Sequence, residues 1–222
     1  MKVKQRMTPD PITVTPQTTH REAMRLLAEN NIRRLPVLDR DGRLVGMVTE
    51  RDVLRTAPSE ATTLSVFEIY TLLDRLTVGQ IMTHPVLAVE EECSLAAAAR
   101  FMVDRKIGAL PVMRGEKLVG IITETDIFKT FVEVLGGGEP GMRIDLRLAH
   151  EPGQLARATQ AIASIGGNIV SLTTFRGDDA EHGIISIKVS DVPDDRLRAA
   201  LEDMEVVEFR PSGQDRLLTF GK

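Results

Sequence analysis

A threonine and an aspartate that occur twice at one spacing are the residues of this chain best suited to chemistry. Thr49 stands three positions before Asp52, and Thr123 stands three positions before Asp126. An apolar run leads into each threonine, so we expect each pair where a strand ends and a helix begins. There the threonine can cap free backbone N–H groups, and the aspartate can complete the cap.

The same four side chains could instead bind a ligand. A helix N-terminus presents free N–H groups and partial positive charge, which suit a phosphate. A threonine hydroxyl can donate to a phosphate oxygen, and a carboxylate can accept hydrogen bonds from both hydroxyls of a ribose. Capping alone does not explain why an apolar strand leads into the pair in both places, so both interpretations stay open.

Both pairs belong to a longer repeat. Residues 44–56 and 118–130 are identical at seven of thirteen positions, and residues 32–37 match residues 107–112. Each copy reads as β-α-β-β-α over about sixty residues, a length that buries too little apolar surface to be stable alone. We therefore expect the two copies to pack on each other.

Two arginines distinguish the copies. Arg33 and Arg34 precede the first Leu-Pro-Val, whereas Gly108 and Ala109 hold these positions in the second copy. Guanidinium groups bind phosphate well, although two solvated charges are the plainer interpretation. We predict that the cleft that receives Arg33 or Arg34 prefers a nucleotide with more phosphate, and that the other takes an adenosine-like or less charged ligand or remains empty. The sequence leaves open which aspartate shares a cleft with which arginine.

Composition excludes several classes of function. The formal net charge of −4 argues against nucleic acid as a partner. We expect no membrane span and no secretory signal, and the single cysteine, Cys93, fits a reducing cytoplasm. Motifs of phosphate-binding loops, zinc proteases and redox dithiols do not occur in the sequence. We therefore expect no catalytic site, no metal site and no required cofactor.

The pattern along the chain divides it into five segments. The first and second repeat units span residues 1–57 and 80–134. Between them, residues 58–79 are predicted to form an amphipathic helix, either a packing arm or a dimer contact. Residues 135–141 are glycine-rich and read as a linker. Residues 142–222 follow the order β-α-β-β-α-β, which is ferredoxin-like. The predicted fold class is thus mixed α+β.

The repeated Gly-h-h-Thr-x-x-Asp motif (h, apolar), with Leu-Pro-Val before it, resembles a pair of CBS domains, or Bateman module. The C-terminal part resembles an ACT domain in two stretches, Glu151-Pro152-Gly153-Gln154-Leu155 and Gly166-Gly167-Asn168-Ile169. Two CBS units followed by an ACT domain is an order similar to that of acetoin-utilisation AcuB-type proteins.

The CBS resemblance implies a regulatory protein that binds an adenine nucleotide (AMP, ADP or ATP) or another adenosyl ligand in clefts between the repeats. The candidate nucleotide-binding residues are Thr49, Asp52, Thr123, Asp126, Arg33, Arg34, Ile12, Val86, Pro36 and Pro111. Ile12 and Val86 could hold adenine, or could be ordinary strand core.

The ACT resemblance implies a homodimer, allosteric regulation, and an amino-acid site at Gly153, Leu155, Asn168 and Ile169. A further, unidentified protein partner is expected downstream. The alternative is a structural adaptor whose clefts are degenerate and bind no small molecule.

Overall fold

The computed structural model describes residues 1–56, 73, 75–176 and 181–211 of the 222-residue chain. Contacts divide the chain into two compact units, Met1–Phe128 and Lys129–Lys222. Most of the predicted helix between the repeats lies outside the described residues. The mixed α+β fold class is confirmed.

The first repeat contains the predicted hairpin and its flanking helices. Its elements are β1 (Thr8–Pro9), α1 (His20–Glu29), β2 (Arg34–Leu38), β3 (Leu44–Thr49) and α2 (Glu50–Arg55). Strands β2 and β3 pair antiparallel, and Val14 forms a parallel bridge to Val37. Thr19 caps α1, because its hydroxyl accepts a 3.2 Å hydrogen bond from the Glu22 N–H.

The second repeat follows the same order with longer elements. They are α3 (Val78–Ile81), β4 (Val89–Glu90), α4 (Leu95–Arg105), β5 (Ala109–Arg114), β6 (Lys117–Thr123) and α5 (Glu124–Val134). The sheet has the strand order β1-β6-β5-β4, so the first repeat supplies one of its edge strands.

The segments that precede the two repeats are exchanged between their cores. Val3 is fully buried among second-repeat residues such as Leu110 and Ile122, and its N–H donates to the Cys93 carbonyl at 2.9 Å. Val78 is fully buried among first-repeat residues, and its N–H donates to the Thr18 carbonyl at 2.8 Å. The sequence pattern assigned Val3 to the first repeat unit and Val78 to the segment between the repeats. In the structure, Val3 belongs to the core of the second repeat and Val78 to the core of the first.

A glycine in each repeated motif makes room for this exchange. A Cβ built on Gly46 would collide with the Met82 side chain, and one built on Gly120 would collide with that of Met7. The backbone also pairs here, since Met47 and Thr83 exchange hydrogen bonds of 3.1 and 2.8 Å. The glycine in the motif is therefore explained by packing against the other repeat's entering segment.

The C-terminal unit has one antiparallel sheet with two helices. Its elements are β7 (Met142–Ala149), α6 (Gln154–Ser164), β8 (Asn168–Arg176), β9 (His182–Ser190), α7 (Asp194–Ala200) and β10 (Glu205–Pro211). The strand order is β10-β7-β9-β8. Alternate residues of β7 are buried against helix residues that include Ala158, Ile162, Leu197 and Leu201. The element order β-α-β-β-α-β is the one predicted.

The start of the glycine-rich segment 135–141 is bound to this sheet. The Leu135 carbonyl accepts hydrogen bonds from Arg143 Nη2 at 2.5 Å and Ser171 Oγ at 3.0 Å. The buried Lys188 donates from Nζ to the Gly136 carbonyl at 2.8 Å. The sequence predicted a linker, and the structure attaches its first two residues to β7, β8 and β9.

Candidate functional site

A cleft of about 450 Å³ opens beside Thr49 between the two repeats. It is lined by Arg33, Arg34, Met47, Thr49, Glu50, Arg51, Thr83, Pro85, Val86, Leu87, Lys106, Ile107, Gly108 and Ala109. Four of the predicted residues, Arg33, Arg34, Thr49 and Val86, thus meet in one cleft. Both arginines line the cleft beside the first repeat's own Thr49, whereas neither Asp52 nor Asp126 is among the residues that line it.

The two Thr-x-x-Asp pairs form closely similar capping boxes. Asp52 Oδ2 accepts from the Thr49 N–H at 2.9 Å and from Thr49 Oγ1 at 2.7 Å, and the Asp52 N–H donates back to Oγ1 at 3.2 Å. Thr123 and Asp126 repeat this arrangement at 2.9, 2.7 and 3.3 Å. Each threonine hydroxyl already donates to its aspartate, so capping is the role that both pairs perform in this structure.

Positive charge dominates the cleft beside Thr49. Its lining includes four cationic side chains and one carboxylate, that of Glu50. Arg34 is the most enclosed of these four cations, with 21% of its side chain exposed. Partial burial lowers the pKa of its guanidinium, while the Glu124 carboxylate acts in the opposite direction. Such a surface favours an anionic ligand.

The two arginines also reach the second repeat's helix. Arg33 Nη2 lies 3.5 Å from Thr125 Oγ1, and Arg34 Nη2 lies 3.9 Å from Glu124 Oε1. Gly108 permits this approach, because a Cβ there would collide with the Arg34 guanidinium and lie 3.0 Å from the Glu124 carboxyl. The arginines therefore lie between the two capping boxes.

Several predicted residues lie elsewhere. Ile12 is 38% exposed, so it is not the strand core that was the alternative for it. Pro36 and Pro111 are buried within β2 and β5, where they pair with Met47 and Ile121. Neither proline lines the cleft beside Thr49.

Sequence reasoning missed three parts of the cleft wall. Lys106 lies at the end of α4 in the left-handed conformation, with φ of 53°. Its counterpart Asn31 has φ of 51°, so the repeat offered a signal for this position. Leu87 and Thr83 come from the segment that enters the second repeat, and only the exchange of segments brings them to Thr49.

The predicted amino-acid site is divided within the chain. A cavity of about 570 Å³ opens near the start of α6 and is lined by residues including His150, Glu151, Leu155, Phe175 and Arg176. Gly153 caps α6 at this end, with φ of 93°. Asn168 and Ile169 instead pair with Ser190 and Val189, at the opposite end of the sheet.

Two further findings concern the described part of the chain. In it, no three His, Cys, Asp or Glu side chains cluster so that they could hold a metal ion. Among the same residues, none of the helices combines the length and apolar character that crossing a membrane requires.

One curated relative is an uncharacterised protein of Methanocaldococcus jannaschii, 36% identical over 140 residues. The match covers 61% of this chain but only 33% of that protein. Two crystal structures match a similar share of this chain but most of their own length. The AcuB protein of Vibrio cholerae, assigned to acetoin utilization, is 30% identical with a TM-score of 0.51, covering 61% of this chain and 93% of its own.

The second crystal structure is CBSX2 in complex with AMP, which is 29% identical with a TM-score of 0.51. That match covers 60% of this chain and 97% of the other. The CBS domain model matches residues 3–59 and 78–133, in register with the two repeats. This chain belongs to the CBS domain family and carries two CBS domains in tandem.

Proposed function

We propose that the chain is a regulatory sensor that binds an adenine nucleotide in the cleft beside Thr49. The observation that carries this proposal is the cleft itself, whose volume of about 450 Å³ suits a small ligand and whose lining is mostly cationic where it is charged. The resemblance to a CBS structure that contains AMP supports the adenine part of the ligand. No catalytic role is proposed for these residues.

The side chains suggest how the ligand is held. Helix α2 has only six residues, so its dipole is small and its N-terminus is a weak site for phosphate. The phosphates are therefore assigned to the side chains of Arg33, Arg51 and Lys106. Asp52 is not among the residues that line the cleft, but it is bonded to Thr49, which is. The ribose hydroxyls are assigned to its carboxylate, because Thr49 occupies only the Oδ2 atom in the capping box. Val86 and Leu87 offer apolar contact to the base.

Regulation requires that the ligand favour one arrangement of the repeats over another. The cleft is lined from both repeats, so its occupant contacts both. Arg34 also lines the cleft, so phosphates held by the other three cations would attract its guanidinium as well and weaken its contact with Glu124 at the start of α5. This is the proposed route by which occupancy is sensed.

A thermal-shift series with AMP, ADP and ATP tests the nucleotide proposal. A ligand at one hundred times its Kd stabilises the folded chain by about 2.7 kcal/mol. We expect ATP to bind more tightly than AMP, because more phosphates meet the cationic side chains, and Asp52→Ala to weaken both. A flat series across all three nucleotides would favour the alternative, an adaptor with degenerate clefts.

We further propose that the C-terminal unit is an ACT domain that dimerises the chain, which extends the likeness to AcuB beyond the CBS pair. Its β-α-β-β-α-β order supports the proposal. An amino-acid ligand is assigned to the cavity at Leu155 and Arg176. Light scattering of the full chain checks the dimer, and calorimetry with amino acids on wild type and Arg176→Ala checks the cavity. A monomer that binds no amino acid would contradict both assignments.

A further inference from the structure

The internal repeat defines a second place equivalent to the cleft beside Thr49. Thr123, Glu124 and Thr125 take the positions of Thr49, Glu50 and Arg51 there. Across from them, Arg33 and Arg34 take the positions that Gly108 and Ala109 hold in the first cleft. Two small residues on one side are thus replaced by two of the largest side chains on the other.

The difference decides how much room each place has. In the first cleft, Gly108 and Ala109 form part of the wall, and about 450 Å³ stays open. In the second place, Arg33 Nη2 lies 3.5 Å from Thr125 and Arg34 Nη2 lies 3.9 Å from Glu124. The guanidinium groups therefore approach the two residues that follow Thr123, where a ligand equivalent to that of the first cleft would have to bind.

We infer that the chain binds one nucleotide, at Thr49, and that Arg33 and Arg34 are the residues that keep the equivalent place at Thr123 closed. This inference rests on the proposed nucleotide binding and adds the number and location of the sites. In this proposal the two arginines have two roles. They supply positive charge to the cleft beside Thr49, and they occupy the equivalent place at Thr123.

The matched capping boxes provide the test, because Asp52→Asn and Asp126→Asn remove the same carboxylate from similar surroundings. Calorimetry of the full chain with AMP should give one site in wild type. Asp52→Asn should weaken AMP at least tenfold, whereas Asp126→Asn should change its Kd less than twofold. Thermal melting of both variants checks that they fold.

A gain of binding makes the test decisive. Replacing both arginines by the residues of the other repeat, Arg33→Gly with Arg34→Ala, in the Asp52→Asn background should restore AMP binding. Adding Asp126→Asn should abolish it again. As a second route, Ala109→Arg should fill the first cleft and abolish AMP binding in an otherwise wild-type chain.

The outcomes separate this inference from the function on which it rests. If wild type binds no AMP, the proposed function fails, and the single site fails with it. If wild type binds two AMP molecules, or both aspartate variants lose binding equally, the function stands and the inference is wrong. Failure of the double arginine replacement to restore binding would also overturn the closing role of the arginines.

Discussion

Glu92 joins the first residues of the chain to the second repeat. Its carboxylate oxygens accept from Lys2 Nζ and Lys4 Nζ, each at 2.5 Å. These hydrogen bonds lower the pKa of Glu92 from 4.5 to about 2. The pKa of Glu92 in the folded chain lies below the ordinary value. The bonds of Glu92 to the two lysines therefore stabilise the fold above pH 4.5, and this stabilisation is lost as the pH falls towards about 2. The carboxylate is exposed, so the effect is small.

Glu92→Gln should therefore lower the melting temperature slightly at neutral pH. The gap between wild type and the variant should narrow as the pH falls from 4.5 towards about 2, because wild-type Glu92 becomes protonated there. Thermal melting over that range measures it. Glu116→Gln, at an exposed position between β5 and β6, controls for the loss of a surface charge. A gap that stays constant with pH would contradict the assignment.

At the scale of residues, the sequence predicted the local capping bonds but not the distant residues that surround them. Spacing was enough to predict capping by Thr49 and Asp52, because a capping box is local in the chain. The position of Arg34 beside Glu124 depends on a contact between residues ninety positions apart, and no local pattern encodes it. Lys106 was missed because its place in the cleft comes from the packing of two repeats.

The exchanged segments dominate at the scale of elements. The sequence predicted the strands and helices that carry the core, since their apolar periodicity is local. It did not predict that Val3 belongs to the second repeat's core and Val78 to the first, although the two valines occupy equivalent positions. Pairing of β1 with β6 is likewise a long-range event.

Because of this exchange, we predict that truncating either valine weakens the core into which that valine packs, which is the core of the other repeat. Val3→Ala should destabilise the chain by about 1–3 kcal/mol, because a fully buried side chain loses two methyl groups. Hydrogen exchange should rise mainly in β5 and β6. Val78→Ala is the matched variant and should act mainly on β2 and β3.

The assignment of the valines to these cores is contradicted if Val3→Ala raises hydrogen exchange chiefly in β2 and β3. It is also contradicted if both variants raise hydrogen exchange equally in the two hairpins. Urea unfolding gives the total loss of stability, and exchange measured by mass spectrometry gives its location.

At the scale of the whole molecule, the duplicated CBS domain sets the architecture of the first unit. The element order of both units was predicted and is confirmed, whereas the difference between the clefts stays a prediction. The attachment of residues 135 and 136 was not, because a glycine-rich composition indicates a linker and carries no information about distant partners. The partner here is Lys188, which is buried in the middle of the C-terminal sheet.

Lys188→Met should release the segment that follows α5. The variant keeps an apolar stem but loses the charged hydrogen bond to the Gly136 carbonyl, which contributes about 1.5–3 kcal/mol. Cleavage after Glu139 by a glutamate-specific protease should become about tenfold faster or more. Lys129→Met, an exposed lysine on α5, is the control. Unchanged cleavage would show that Lys188 does not hold the segment.

The exchange of Val3 and Val78 also bears on how such a protein could be made or divided. Val3 precedes in the chain the second-repeat core that receives it, whereas the first-repeat core cannot be completed during synthesis until Val78 has been added. A gene divided between the repeats would encode two polypeptides, each of which lacks the buried valine that the other carries. Mixed as separate polypeptides, the two halves should therefore fold together, because each supplies the buried valine that completes the core of the other.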